Sequence, residues 1–152
     1  RYTILNTETI QKKHHCIKEA LQLIEGTHNF DRFRKKDPNK SKNSELTILR
    51  ADLKPHFFLN SQTVHYYSII FRSKAFLWEQ IRRLVSYIIK IVEGEKTLEE
   101  LEYELNNPND ISQKVPPINP EGLILWTMKF PETITFQTDS SLFKKRKSSY
   151  RT

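Results

Sequence analysis

From Phe76 to Val92 the chain reads Phe-Leu-Trp-Glu-Gln-Ile-Arg-Arg-Leu-Val-Ser-Tyr-Ile-Ile-Lys-Ile-Val, and no other run restricts the fold as strongly. At about 100° per residue, Trp78, Ile81, Leu84, Val85, Ile88, Ile89 and Val92 fall in one apolar sector. Glu79, Arg83, Ser86 and Lys90 lie opposite. Such a stripe must be buried against another layer of structure, so a helix spanning Phe76 to Glu93 and stopped by Gly94 is predicted to pack on a core. Its two adjacent arginines differ. Arg83 is expected to project into solvent or onto RNA, whereas Arg82 falls at the seam, about 20° beyond Ile89. There its stem can pack while its guanidinium stays at the rim, able either to snorkel or to hold a carboxylate through a bidentate pair.

The remaining elements are arranged around that helix. Tyr2 to Leu5 reads as a short strand, and Thr7 can cap a helix running to Glu25, with Ile10, Ile17, Leu21 and Ile24 on one face. Asp31 to Ser44, basic and broken by Pro38, reads as a long exposed loop. Glu45–Leu53 and Val64–Arg72 are rich in β-branched and aromatic residues and read as strands joined through Pro55 to Gln62. Thr97-Leu-Glu-Glu100 is a capping box opening a helix to about Asn106, and Leu123 to Phe130 reads as a last strand. The order β-α-β-β-α-α-β predicts an α+β fold, a mainly antiparallel sheet with helices packed on one face. It places a domain over residues 1–131 and a basic tail over 132–152.

Composition narrows the functions. Of 152 residues, 37% are hydrophobic and 28% charged, the balance of a globular domain. Three glycines and no Gly-x-Gly-x-x-Gly or P-loop pattern argue against a nucleotide cofactor. The net charge of +7 is concentrated at Arg32, Arg34, Lys35, Lys36, Lys40 and Lys42 and at Lys144 to Arg151, which suits a polyanion such as RNA or simply a solvated surface. Cys16 is the sole cysteine, which excludes an intrachain disulfide and favours a cytoplasmic, intracellular setting; no apolar run is long enough for a membrane span. His14, His15 and His28 lack the spacing of a zinc site, so no metal is expected.

Four segments in order resemble the TruA-type tRNA pseudouridine synthases. Arg1-Tyr2 with Ile4 resembles the end of the family's Arg-x-Tyr-x-Tyr strand, and Glu25-Gly-Thr-His-Asn-Phe30 with Phe33 its Glu-Gly-Thr-His-(Asp/Asn)-Phe…Phe segment. Lys74-Ala-Phe-Leu-Trp-Glu-Gln-Ile-Arg-Arg83 resembles the Ser-Phe-Leu-x-x-Gln-(Ile/Val)-Arg-(Lys/Arg) helix, and Pro120-Glu-Gly-Leu-Ile-Leu125 the closing Pro-Glu-Gly-Leu-x-Leu strand. The resemblance implies a mixed fold whose two similar halves form a cleft for the tRNA anticodon stem-loop. It also implies uridine isomerisation without metal or organic cofactor, and a homodimer. Residue by residue, Arg82 matches the arginine that pairs with the catalytic aspartate, Leu123 the apolar wall of the uracil pocket, and Tyr2 the second tyrosine of its strand.

The aspartate itself belongs to an Arg-Thr-Asp-x-Gly-Val-His motif upstream of the tyrosine strand, in an N-terminal half missing from this sequence, so the chain reads as a C-terminal half without turnover of its own. Arg50-Ala-Asp-Leu-Lys-Pro-His56 imitates that spacing, yet it lacks the glycine and sits in the wrong chain order; Asp52 is read as a residue at a strand end, where Asp and Pro commonly begin a turn. RNA contacts are expected from Arg32, Arg34, Lys35, Lys36 and Arg83. Enzyme half, non-catalytic RNA-binding module and plain α+β domain separate by turnover, by salt-sensitive tRNA binding, and by its absence.

Overall fold

A computed structural model describes residues 7–36, 44–57, 64–109 and 113–130. The expected strand Tyr2–Leu5, the Lys40 and Lys42 side chains and the tail beyond Phe130 lie outside the described residues. The chain divides into two units, Arg1–Gly122 and Leu123–Thr152.

In the first unit, helix α1 (Thr7–Ile24) buries Ala20, Leu21 and Ile24, a spacing of three to four residues that keeps them on one face. Gly26 follows at φ +104°, a region open to glycine, and lets the chain reverse directly into a strand. That strand, β1 (Gly26–Asn29), pairs antiparallel with the start of β2 (Glu45–Phe57), Gly26 opposite Ile48 and Asn29 opposite Glu45. β2 then pairs with β3 (Val64–Ser73), Ala51 opposite Phe71 and Leu53 opposite Ile69. The sheet order is β1-β2-β3, antiparallel throughout. Pro55 lies inside β2 rather than in a connection; residues 58–62 of the expected hairpin connection are outside the described residues.

Helices α2 (Gln80–Glu93) and α3 (Leu98–Asn106) complete a core in which Leu84, Tyr87, Ile88 and Leu101 meet Ile48, Ala51 and the α1 stripe. The α+β class holds, with one helical layer against an antiparallel sheet. Gly94, at φ +81°, ends α2 with its N–H on Ile91 O and the Glu95 N–H on Lys90 O. The capping box of α3 is present in both directions, Glu100 N–H to Thr97 Oγ1 and Thr97 N–H to Glu100 Oε2.

Three further expectations change. First, residues 31–34 are not part of an exposed loop, although Lys35 and Lys36 are exposed. Asp31–Phe33 form a 3-10 turn pinned by Phe30 and Phe33, whose rings stack edgewise on each other at 6.4 Å and on Tyr87 at 5.7 Å. Burying such rings contributes roughly 1.5–3 kcal/mol each, enough to hold a polar segment against the core. Second, α2 starts at Gln80 rather than Phe76, and its buried face is rotated from the expected sector. Tyr87, Ser86 and Ile91 are buried, whereas Ile89 and Trp78 are exposed. Third, residues 123–130 of the second unit form no strand and are exposed. An apolar extended run alone does not make a strand; a neighbour must supply the ladder's hydrogen bonds.

Candidate functional site

The approach to α2 is bent by Glu79, which sits at φ +62° in the left-handed region that a side-chain-bearing residue enters at a cost. Its carboxylate takes two hydrogen bonds from Arg83 one turn later, from Nη2 at 2.7 Å and Nε at 3.2 Å. Arg83 therefore does not project freely into solvent. Its remaining reach goes to the Val115 carbonyl, 2.8 Å from Nη1. Arg82 grips the same segment three residues on. Its Nε donates to Ile118 O at 2.6 Å, and the Ile118 N–H returns to Arg82 O at 3.4 Å. Pro116 and Pro117 lie between those carbonyls. Prolines cannot donate to a ladder, so the strap they stiffen offers carbonyls to whatever donors stand beside it.

Arg82 is thus half-buried at the rim, as its place at the seam predicts, and oriented by backbone on both sides. Its two terminal nitrogens make no hydrogen bond among the described residues and stay available to an anion. Leu123 opens the second unit and is half-exposed. Tyr2 is outside the described residues.

Beside the strap, the 3-10 turn divides its cations. Arg32 is 3% exposed and donates through Nε and Nη2 to Glu104 Oε2, each at 3.0 Å. Tyr87 Oη donates to the other carboxylate oxygen, also at 3.0 Å. Arg34 is buried as well, bonded to Asp31 at 2.7 Å and to Ser44 Oγ at 2.8 Å. Both guanidiniums face inward because two acidic groups, Glu104 and Asp31, would otherwise be left in the protein without a counter-charge.

Lys35 and Lys36 remain exposed. Lys35 Nζ lies 4.2 Å from the centre of the exposed Trp78 ring, and its backbone N–H bonds Trp78 O at 2.9 Å. Lys114, which the sequence did not single out, places Nζ 3.8 Å from Asp31 Oδ2. Burial pushes its pKa down, as do the nearby charges of Lys36, Arg34 and Arg83, against the pull of Asp31. Burial works to raise the Asp31 carboxyl, but hydrogen bonds from Ser44 and Arg34 and the charges of Lys114 and Arg34 hold it below the usual range. The result is a cationic ridge of Lys35, Lys36 and Lys114, with the Trp78 indole against Lys35, suited to a phosphodiester chain.

Asp52 pairs with Arg50 on the exposed sheet and is remote in chain order from the α2 arginines. No cluster of three or more His, Cys, Asp or Glu among the described residues could hold a metal. No described helix is long and apolar enough to cross a membrane.

Residues 20–131 match a family model described as tRNA pseudouridine synthase. A tRNA pseudouridine synthase A of Thermococcus onnurineus is 34% identical over 147 residues, covering 97% of this chain and 49% of the relative. A protein of the same description from Pyrococcus furiosus is 33% identical over 129 residues, 85% of this chain and 44% of the relative. The tRNA pseudouridine synthase-like 1 protein of Xenopus laevis is 29% identical over 127 residues, 78% of this chain and 42% of the relative. The chain spans about half the length of the curated relatives it matches.

Proposed function

The chain belongs to the tRNA pseudouridine synthase family, and we propose that it forms the C-terminal half of an active site that isomerises uridine to pseudouridine in the anticodon stem-loop of tRNA. The observation that carries this reading is Arg82, fixed by Ile118 on both its backbone and its Nε, with the outer edge of its guanidinium open. In that position it would pair with the aspartate supplied by the N-terminal half, keeping the carboxylate ionised and aligned. The reaction breaks the bond from C1′ to N1 and forms one from C1′ to C5. The C5 hydrogen leaves to solvent and N1 takes up a proton, so no redox partner or added group is required.

Leu123 would wall the uracil once the base has left the stack. Lys35, Lys36 and Lys114 would hold the backbone, while Arg32, Arg34 and Arg83 support the surface from within. The complete protein is proposed to act in the cytoplasm as a homodimer, and the 152-residue chain alone to have no turnover.

Tritium release from tRNA carrying [5-³H]uridine tests this in the full-length protein. The rate should fall about a hundredfold in Arg82→Lys, because an ammonium cannot reproduce the forked geometry. A full rate in that variant sinks the assignment of Arg82. Release by the 152-residue chain alone overturns the need for a second half, and tRNA binding without any release from the full-length protein would favour an RNA-binding module.

A further inference from the structure

The β2–β3 hairpin has two faces, and only one is occupied by the core. On the inner face Ala51, Leu53, Ile69 and Phe71 pack against the core, and the Tyr67 ring meets His14 of α1 at 5.4 Å. The alternate positions point the other way, where no described helix covers them. Register places Arg50 opposite Arg72, Asp52 opposite Ile70, Lys54 opposite Ser68, and His56 opposite Tyr66 along this outer face.

Its chemistry is ordered from one end to the other. Two arginines stand directly opposite each other, a cross-strand arrangement that destabilises a sheet by like-charge repulsion. Among the described residues Asp52 forms an ion pair with Arg50 alone. Arg72 and Lys54 make no ion pair or side-chain hydrogen bond among the described residues. At the far end the rings of His56 and Tyr66 are stacked, 4.5 Å between centroids and 9° from parallel. His56 is fixed by a 2.9 Å bond between Nε2 and Ser68 Oγ, and Tyr66 is 56% exposed. From the arginine pair to the ring pair is six strand positions, about 20 Å at a strand's rise per residue.

We propose that this open face is a second RNA contact surface, distinct from the ridge of Lys35, Lys36 and Lys114. Arg72, Lys54 and Arg50 take successive phosphates, and the His56–Tyr66 platform takes an unpaired base. The inference rests on the reading of the protein as a tRNA-modifying enzyme. A protein segment fits the face less well, since covering it would desolvate Lys54 and an opposed arginine pair with one carboxylate between them. A phosphate chain brings the missing negative charge, and a base has the flat surface that stacked rings accept.

The test uses the full-length protein and an unmodified tRNA transcript, with affinity measured over a range of salt. In the double variant Arg72→Ala, Lys54→Ala the slope of log affinity against log salt should shrink by about 1 to 2, because one or two phosphates are no longer neutralised. Tyr66→Ala should weaken binding about fivefold or more, and Tyr66→Phe should not. KM should rise in both weakened variants while kcat at saturation holds. Wild-type affinity and slope in folded variants overturn the proposal and leave the enzymatic reading intact; so does a fall in Tm with tRNA affinity unchanged, which assigns the face to a protein contact. Wild-type protein that neither binds nor modifies tRNA overturns the enzymatic reading itself. Should a variant fail to fold, ultraviolet cross-linking of the wild-type complex decides: an adduct on the Tyr66 peptide supports the face, and adducts confined to other peptides overturn it.

Discussion

Glu104 gathers three donors, Arg32, Tyr87 Oη and Lys96 Nζ, and so joins the 3-10 turn, α2 and α3 at one buried carboxylate. Removing it takes from Arg32, 3% exposed, the carboxylate that both its Nε and its Nη2 bond. Glu104→Ala should therefore cost about 3–5 kcal/mol, read from urea unfolding, with Glu104→Gln costing less because it keeps an acceptor. The same carboxylate, after burial, pushes the Tyr87 hydroxyl far above its ordinary range, so Tyr87 remains a donor at any working pH. Asp31 carries the acid sensitivity. Its folded pKa is below the unfolded value of 3.8, so its contribution is present above that pH and lost as pH falls through the folded value. Stability should drop on acidification below about pH 4, and Asp31→Asn should flatten that limb of the curve; an unchanged limb would remove Asp31 from the account. None of these pairings is legible in the sequence. Arg32 and Glu104 are 72 residues apart, and a basic loop reads as solvated until a buried acid is found beneath it.

Elements are legible where their signals are local. The Thr97–Glu100 box is a four-residue pattern that specifies its own hydrogen bonds, and Thr97→Ala should lower stability by about 1 kcal/mol in thermal unfolding. Gly94 needs its φ of +81°, so Gly94→Ala should cost about 1–2 kcal/mol although no neighbour lies within 4 Å of the added methyl. The start of α2 is not legible. Continuous apolar periodicity from Phe76 suggests four extra helical residues, but the Glu79–Arg83 ion pair stabilises a left-handed turn that periodicity cannot register. That turn exposes Trp78 to Lys35 and puts Tyr87 in the core, rotating the buried face. Arg82 survives the rotation because a seam residue stays near the rim when the face moves by one position.

At the scale of the whole molecule, α+β class and antiparallel pairing follow from short-range alternation and are readable, whereas the fate of an extended run depends on a neighbour. Leu123, Ile124, Leu125, Trp126, Met128 and Phe130 alternate poorly and are all exposed, Trp126 to 87%. A contiguous apolar run of this size on a surface is either a contact for more protein or an aggregation hazard. The chain covers about half the length of its relatives, so the proposed other half of the active site or a second copy would supply that contact. Expressed alone, the chain should therefore self-associate as concentration rises, forming species larger than a dimer in sedimentation velocity. Leu125→Lys with Trp126→Lys should restore a smaller, discrete species, since charge interrupts the exposed apolar run. In the full-length protein the same pair should instead weaken stability or activity, as the run would there be covered. A monodisperse wild-type chain, or a full-length protein indifferent to both lysines, would show that these residues are not an interface.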